Sequence, residues 1–385
     1  MRFFHISDLH IGKQLYSYSL GENQREILGE VVEKIKEYQP DSLLICGDIF
    51  DRSIPSGEAY SIFDEFLTAV SGIKPEVTVL MIAGNHDSAE RLRYASNFLR
   101  KHRIHISVLP PGRPEEFLQK VVLQDEYGPV NFYLLPFLKP GYVRGLANEE
   151  ENLDYEGAVR LVLSRETYDF SERNVLLSHQ FYKNGTESPT TCESEQASLN
   201  VGGLDSVDVS LVKGFDYVAL GHIHGAQKVG NPNVRYCGTL LKYSVSEEKH
   251  KKSITMVTLK KKGEEPLIET IPIKGSQDVR SISGTLNEVL ALGEQYGKDF
   301  VSVTLTDEGE LYRPKERLSE VYEYLLDLKV DNQRTRELLK ESGEEADFAS
   351  PLEAFQRFYE DVQHTPLSEE EWTFLEQILE RAREE

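Results

Sequence analysis

Six short apolar runs constrain this chain more than any other feature: RFFHIS (2–7), SLLICG (42–47), TVLMIAG (78–84), NFYLLP (131–136), NVLLS (174–178) and YVALG (217–221). Each suits a buried strand and is too short for a buried helix. Between them the apolar spacing turns helical. Ile27, Val31, Val32 and Ile35 fall on one face, and so do Ile62, Phe63, Phe66, Leu67 and Val70. Strands alternating with helices predict an α/β protein of stacked layers.

The pattern changes after the sixth run. VRYCG (234–238) and SITMVTLK (253–260) have no helix between them and predict a hairpin-rich return. Residues 183–210 read as one long polar loop, a length that loops reach chiefly for function or in disorder. Around Gly275 the pattern restarts with a helical TLNEVLALGEQY, a strand DFVSVTLTD (299–307) and a helical PKERLSEVYEYLLDLKV, which predicts a small α+β domain. An acidic linker, ESGEEAD (341–347), leads into two amphipathic stripes. One is Leu352, Phe355, Phe358, Tyr359 and Val362; the other is Trp372, Leu375, Ile378, Leu379 and Ala382, opened by a Ser368–Glu371 capping box. The division expected is 1–275, 276–340 and 341–385.

Composition narrows the class. The chain of 385 residues is long enough for more than one domain. Its three cysteines, Cys46, Cys192 and Cys237, form no CxxC and offer neither a disulfide framework nor a thiolate zinc site. No stretch is long and apolar enough for a membrane span, and MRFFHISDLH does not read as a signal peptide, so a cytoplasmic protein is expected. The net charge of −22 disfavours unaided binding to a polyanion. Half of that excess lies in residues 341–385, where 14 Asp or Glu meet 3 Arg for a local balance of −11.

The ends of the apolar runs carry the chemistry. They lead into Asp8-Leu-His10, Gly47-Asp48-Ile-Phe-Asp51, Gly84-Asn85-His86-Asp87, His179 and Gly221-His222-Ile-His224. Ligands of α/β sheets gather beyond the carboxyl ends of strands, so residues far apart in sequence can converge there. A single histidine in such a place is more often structural. Five strand ends furnished with Asp, Asn or His are not explained that way. Mixed carboxylate, imidazole and amide donors without thiolate suit Mn²⁺, Fe²⁺ or Zn²⁺. The seven donors, Asp8, His10, Asp48, Asn85, His179, His222 and His224, are too many for one ion and suit two ions sharing a carboxylate. His5, His102, His105, His250 and His364 lack such company and read as structural.

In that order, D-x-H, G-D-x-x-D, G-N-H-D, a lone His and G-H-x-H resemble the calcineurin-like metallophosphoesterase superfamily. GHIHGAQKVG followed by VRYCGTLLKYSVSEEKHKKS is similar to its bacterial DNA-nuclease subunits, and that similarity spans essentially the whole chain. It implies a layered α-β-β-α sandwich with a small α+β capping domain and C-terminal helices. It also implies two Mn²⁺ ions, with Mg²⁺, Fe²⁺ or Zn²⁺ as substitutes. Asp8, His10, Asp48 and His224 would hold one ion, and Asp48, Asn85, His179 and His222 the other. His86 would act on the scissile phosphate, oriented by Asp87. Archaeal members carry His at the position of Asp51, so Asp51 is expected to support the metal shell rather than touch phosphate. The implied partners are a coiled-coil ATPase docked through the C-terminal helices, and double-stranded DNA ends and hairpins. The implied assembly is a homodimer within a heterotetramer serving DNA repair, recombination and replication. The competing readings are a small-nucleotide or phosphoprotein phosphoesterase with the same centre, and a scaffold whose fold serves only as the base of an ATPase machine.

Overall fold

The computed structural model describes residues 1–147, 153–196 and 205–335, together with Phe355, Gln356, Tyr359, Leu367, Ser368, Glu371, Trp372 and Leu375 of the C-terminal stretch. Two six-stranded sheets form its centre. The first runs in the order Leu267–Pro272, Ser253–Thr258, Arg2–Ile6, Ser42–Cys46, Thr78–Ile82, Ile104–Ser107. The second runs Gln227–Val229, Asn231–Tyr236, Tyr217–Leu220, Arg173–Ser178, Gly128–Leu135, Gln119–Asp125. Four neighbouring strands of each sheet are parallel. Their carboxyl ends therefore open on one side of the sheet.

The strands that predict best are those buried on both faces. Phe3, Leu44 and Leu80 meet Phe132, Leu177 and Ala219 between the sheets. On the outer face of the first sheet, Phe4, Leu43 and Ile45 pack on Ile27, Val31, Ile35, Ile62 and Phe66 of the helices Gly21–Tyr38 and Gly57–Ser71. Helix Tyr155–Ser164 covers the second sheet through Ala158, Val159 and Val162. Each such side chain contributes about 1.5–3 kcal/mol by leaving water. Local signals fix where the helices start. Ser56 Oγ accepts the Ala59 amide at 3.1 Å, and Asp154 Oδ1 accepts the Gly157 amide at 2.6 Å. The layers are α-β-β-α, as expected.

One buried polar group ties the sheets together. His5 lies in the inter-sheet space, with Nδ1 3.0 Å from the Tyr217 hydroxyl and Nε2 3.1 Å from the Leu220 carbonyl. Nε2–H donates to that carbonyl, so Nδ1 accepts from Tyr217.

Three sequence expectations need correction. Asn231–Tyr236 and Ser253–Thr258 do not return on one another. They sit in different sheets, each in its own antiparallel pair, with Gln227–Val229 and Leu267–Pro272 respectively. The 183–210 stretch is not a featureless loop, because Ser206–Asp208 pairs with Phe181–Lys183 and Glu193–Gln196 forms a helical turn. PKERLSEVYEYLLDLKV is helical only over Pro314–Ser319; Tyr324–Val330 is a strand, parallel to Phe300–Leu305. Its apolar residues mimic helical spacing, but the ladder satisfies its backbone, and the short helix before it is the crossover that parallel pairing requires.

That strand belongs to a three-stranded parallel sheet with Val279–Gly284 and Phe300–Leu305, covered by helices Leu286–Ala291 and Pro314–Ser319. Val279 and Phe300 of this unit join Leu15, Leu20 and Tyr243 of the larger one in a shared apolar cluster. In the C-terminal stretch the expected capping box forms. Ser368 N–H and Oγ donate to Glu371 at 2.9 and 2.7 Å, and the Glu371 amide donates back to Ser368 Oγ at 3.3 Å. Leu352, Phe358, Val362, Ile378, Leu379 and Ala382 lie outside the described residues. No helix among the described residues is long and apolar enough to cross a membrane.

Candidate metal centre

The parallel strands deliver their ends to one point. Asp8 follows Arg2–Ile6, Asp48 follows Ser42–Cys46, Asn85 follows Thr78–Ile82, His179 follows Arg173–Ser178, and His222 and His224 follow Tyr217–Leu220. The turns are tight enough that Asp8, His10, Asp48 and His222 all take positive φ, at 53°, 42°, 47° and 99°. Such backbone is costly for L-residues and is tolerated best by Asp, Asn and His. Two glycines permit the approach. A Cβ on Gly84 would lie 2.1 Å from Asp48 Oδ1, and one on Gly221 would lie 1.8 Å from the Cys46 carbonyl.

All seven expected donors come together, in two groups. In the first, Asp8, His10 and His224 present ligand atoms within 4.8 Å of one another, and His10 Nε2 faces His224 Nε2 at 3.2 Å. In the second, Asp48, His179 and His222 do the same. Asn85 Oδ1 completes that group, 3.2 Å from His179 Nε2 and 3.1 Å from His222 Nδ1. Asp48 stands between the groups, with Oδ2 3.3 Å from His179 Nε2 and 3.8 Å from His10 Nε2. Imidazole nitrogens and amide or carboxylate oxygens facing each other so closely behave as ligands of shared cations. The oxygen and nitrogen donor set fits a pair of Mn²⁺-like ions.

The electrostatics agree. Burial raises the Asp8 carboxyl to about 6, with the Asp48 charge adding and His179 opposing. Asp87 rises to about 6 through burial and the Asp48 charge. Burial would lower the His179 imidazole, but the Asp48 and Asp8 carboxylates outweigh it and hold its proton up to about 9. His222 falls to about 3 through burial and the nearby His179 charge. This pocket of carboxylates calls for positive charge, which divalent cations supply more fully than a proton does.

Neighbouring groups hold the donors in place. Asp8 accepts the His222 amide on both oxygens at 3.0 Å, and also accepts from the Ser7 hydroxyl. His179 Nδ1 donates to the Cys46 carbonyl at 2.6 Å. Gln24 Nε2 donates to the His10 carbonyl at 2.7 Å. Asp51 Oδ1 lies 3.5 Å from His10 Nδ1 and pairs with Lys13 at 2.8 Å. Asp51 thus stands behind a candidate ligand.

One expected role changes. Asp87 does not hold the His86 ring; its carboxylate accepts the Gly84, Phe50 and Ile49 amides at 2.9, 3.0 and 3.1 Å. The ring is held instead by the Asp51 carbonyl, 2.8 Å from its Nδ1, and the His86 amide donates to Asp48 Oδ1 at 2.9 Å. Asp87 therefore shapes the turn that carries His86. His86 lies beside the centre, grouped with His10 and Asp48.

Sequence reasoning missed Ser194, Glu195 and Glu247, which gather around His224. They follow no apolar run and belong to no motif. The only hint was the length of the polar stretch around Ser194.

Comparisons with known proteins agree with this geometry. Residues 1–226 match the calcineurin-like phosphoesterase family, and residues 276–363 match the type 5 capsule protein repressor C-terminal domain. The chain is 28% identical over 333 residues to the SbcD subunit of the nuclease SbcCD from Staphylococcus epidermidis, covering 85% of each chain. It is 28% identical over 326 residues to the protein of that name from Staphylococcus saprophyticus, covering 84% of this chain and 82% of the relative. Among solved structures, a dimetal phosphatase from Danio rerio aligns with 70% of this chain and 98% of its own at 12% identity and a TM-score of 0.36, too distant to bear on the site.

Proposed function

Because the chain belongs to the calcineurin-like phosphoesterase family and is a metal-dependent phosphoesterase, we propose that it is the nuclease subunit of a two-part DNA-processing machine. The observation that carries this reading is the convergence of seven oxygen and nitrogen donors in two groups sharing Asp48. Asp8, His10, Asp48 and His224 hold one Mn²⁺; Asp48, Asn85, His179 and His222 hold the second. Mg²⁺, Fe²⁺ or Zn²⁺ are the substitutes this donor set accepts. Bound there, the ions supply Lewis acidity to the attacked phosphodiester.

The remaining work falls to the chain itself. Asp48 fixes the spacing of the two groups and, by accepting the His86 amide, the height of the catalytic turn. His86 donates to the phosphate as charge develops, or protonates the departing 3′ oxygen. Asp87 holds the turn, and Asp51 with Lys13 steadies His10.

The relatives' name supports DNA as substrate and an SbcC-type coiled-coil ATPase as partner. Residues 1–275 form the nuclease domain, 276–340 the capping domain and 341–385 the linker and docking helices. The protein acts in the cytoplasm on duplex ends and hairpins, as a homodimer within a heterotetramer, in repair, recombination and replication.

The deciding experiment is cleavage of hairpin and blunt duplex DNA in Mn²⁺, with and without the ATPase. Cleavage abolished by chelation and stimulated by ATPase and ATP is expected. Turnover of small nucleotides or phosphoproteins with no cleavage of DNA would favour the other phosphoesterase reading.

A further inference from the structure

Directly behind His224 lies a buried polar cluster that no sequence motif uses. Ser194, in the turn Glu193–Gln196, sets its hydroxyl 2.8 Å from His224 Nδ1 and donates to Glu247 Oε1 at 2.7 Å. Glu247 is fully buried; its Oε2 accepts from Lys252 at 2.6 Å and its Oε1 accepts the Tyr243 amide at 3.0 Å. Glu195, also buried, accepts the backbone amide of His224, and its other oxygen takes the Cys192 amide at 2.9 Å. The segment around residue 194 thus grips His224 by both ring and backbone.

The protons in this chain have one consistent arrangement. A hydroxyl has one proton to donate and lone pairs to accept with. The Glu247 carboxylate, paired with Lys252, only accepts, so it takes the Ser194 proton. Ser194 Oγ must then accept from His224, which places the imidazole proton on Nδ1. The lone pair is left on Nε2, the atom facing His10 Nε2 at 3.2 Å in the first donor group.

We infer that Ser194 and Glu247 are positioning residues that lock His224 in the Nδ1–H tautomer, with Nε2 presented to a divalent cation. Partners of this kind orient ligating imidazoles and raise their basicity, and their loss costs about 10–100-fold in metal affinity. His179 is oriented by a fixed backbone carbonyl. His224 depends instead on a side chain from the 183–210 stretch, so that stretch becomes part of the centre. This inference rests on the reading of a binuclear centre.

The test titrates Mn²⁺ calorimetrically into metal-free wild type, Ser194→Ala and Ser194→Thr. Wild type should bind two ions. Ser194→Ala should bind one as before and the other about 10–100-fold more weakly. Ser194→Thr, which keeps the hydroxyl, should regain most of the loss. A Ser194→Ala protein that binds both ions as wild type does would overturn the inference. Should that variant not fold, the wild type itself decides. Long-range ¹⁵N–¹H spectra of the metal-free protein, with the His224 signals identified by their absence in His224→Gln, should show the proton on Nδ1; a proton on Nε2 would overturn the assignment. A wild type that takes up fewer than two ions strikes at the binuclear reading, while the tautomer still tests the Ser194 contact.

Discussion

Asp48 is the residue on which both donor groups depend, since its carboxylate lies within 3.3 Å of His179 and 3.8 Å of His10. Asp48→Ala should therefore lose most of both ions when Mn²⁺-loaded protein is assayed by elemental analysis. A full complement retained by that variant would remove the bridge. His86 should behave in the opposite way, because its ring nitrogen is bonded to the Asp51 carbonyl. His86→Asn should keep metal and DNA and lose about 10²–10³ in turnover, the usual cost of one transition-state donor. Wild-type turnover by purified His86→Asn would leave His86 a structural residue. The donors themselves were legible because each follows an apolar run and several sit beside glycine. Ser194, Glu195 and Glu247 were not, since only the folded chain brings their polar segments to His224. The partner of the His86 ring was equally hidden: a backbone carbonyl carries no mark in the sequence.

The elements that predicted well are the central strands, buried on both faces and written as unbroken apolar runs. Edge strands such as Gln119–Asp125 and Leu267–Pro272 have mixed faces and left no such trace. Tyr324–Val330 was misread because half-burial on one edge of a small sheet blurs the two-residue period. His5, on the first strand, yields a prediction about how the two sheets stay joined. Burial lowers its pKa from 6.5 to about 3, against the pull of the Leu220 carbonyl. Above pH 6.5 neither state binds the proton, and the bonded neutral ring contributes its full stability. As the pH falls from 6.5 toward 3, the unfolded chain takes up a proton that the folded one refuses. Stability then declines by up to about 1.4 kcal/mol per pH unit from this group. His5→Gln, which can bond both partners without titrating, should flatten that decline in denaturant melts of metal-free protein between pH 7 and 4.5. An unchanged slope would show that His5 is not the group responsible.

On the scale of the whole molecule, a net charge of −22 makes its own grip on duplex DNA poor, so a partner must bring much of the basic surface. Truncation near Asp347 should leave a metal-loaded enzyme active on a small model diester, yet abolish co-purification with the ATPase and ATP-stimulated cleavage. Leu375 is buried and Phe355 is exposed, so the two stripes need not share one fate. A truncated chain whose melting temperature drops by several degrees, beside an intact chain that ignores the ATPase, would place the stripes in the core. The two donor groups also draw on widely separated parts of the chain, with His10 meeting His224 across 214 positions. During synthesis the ribosome therefore delivers the last two ligands long after the first two. Neither ion has its full set until His222 and His224 have emerged and their strand has docked. A nascent or prematurely terminated chain is thus chemically silent, and the cell meets the hydrolytic centre only as a finished sandwich.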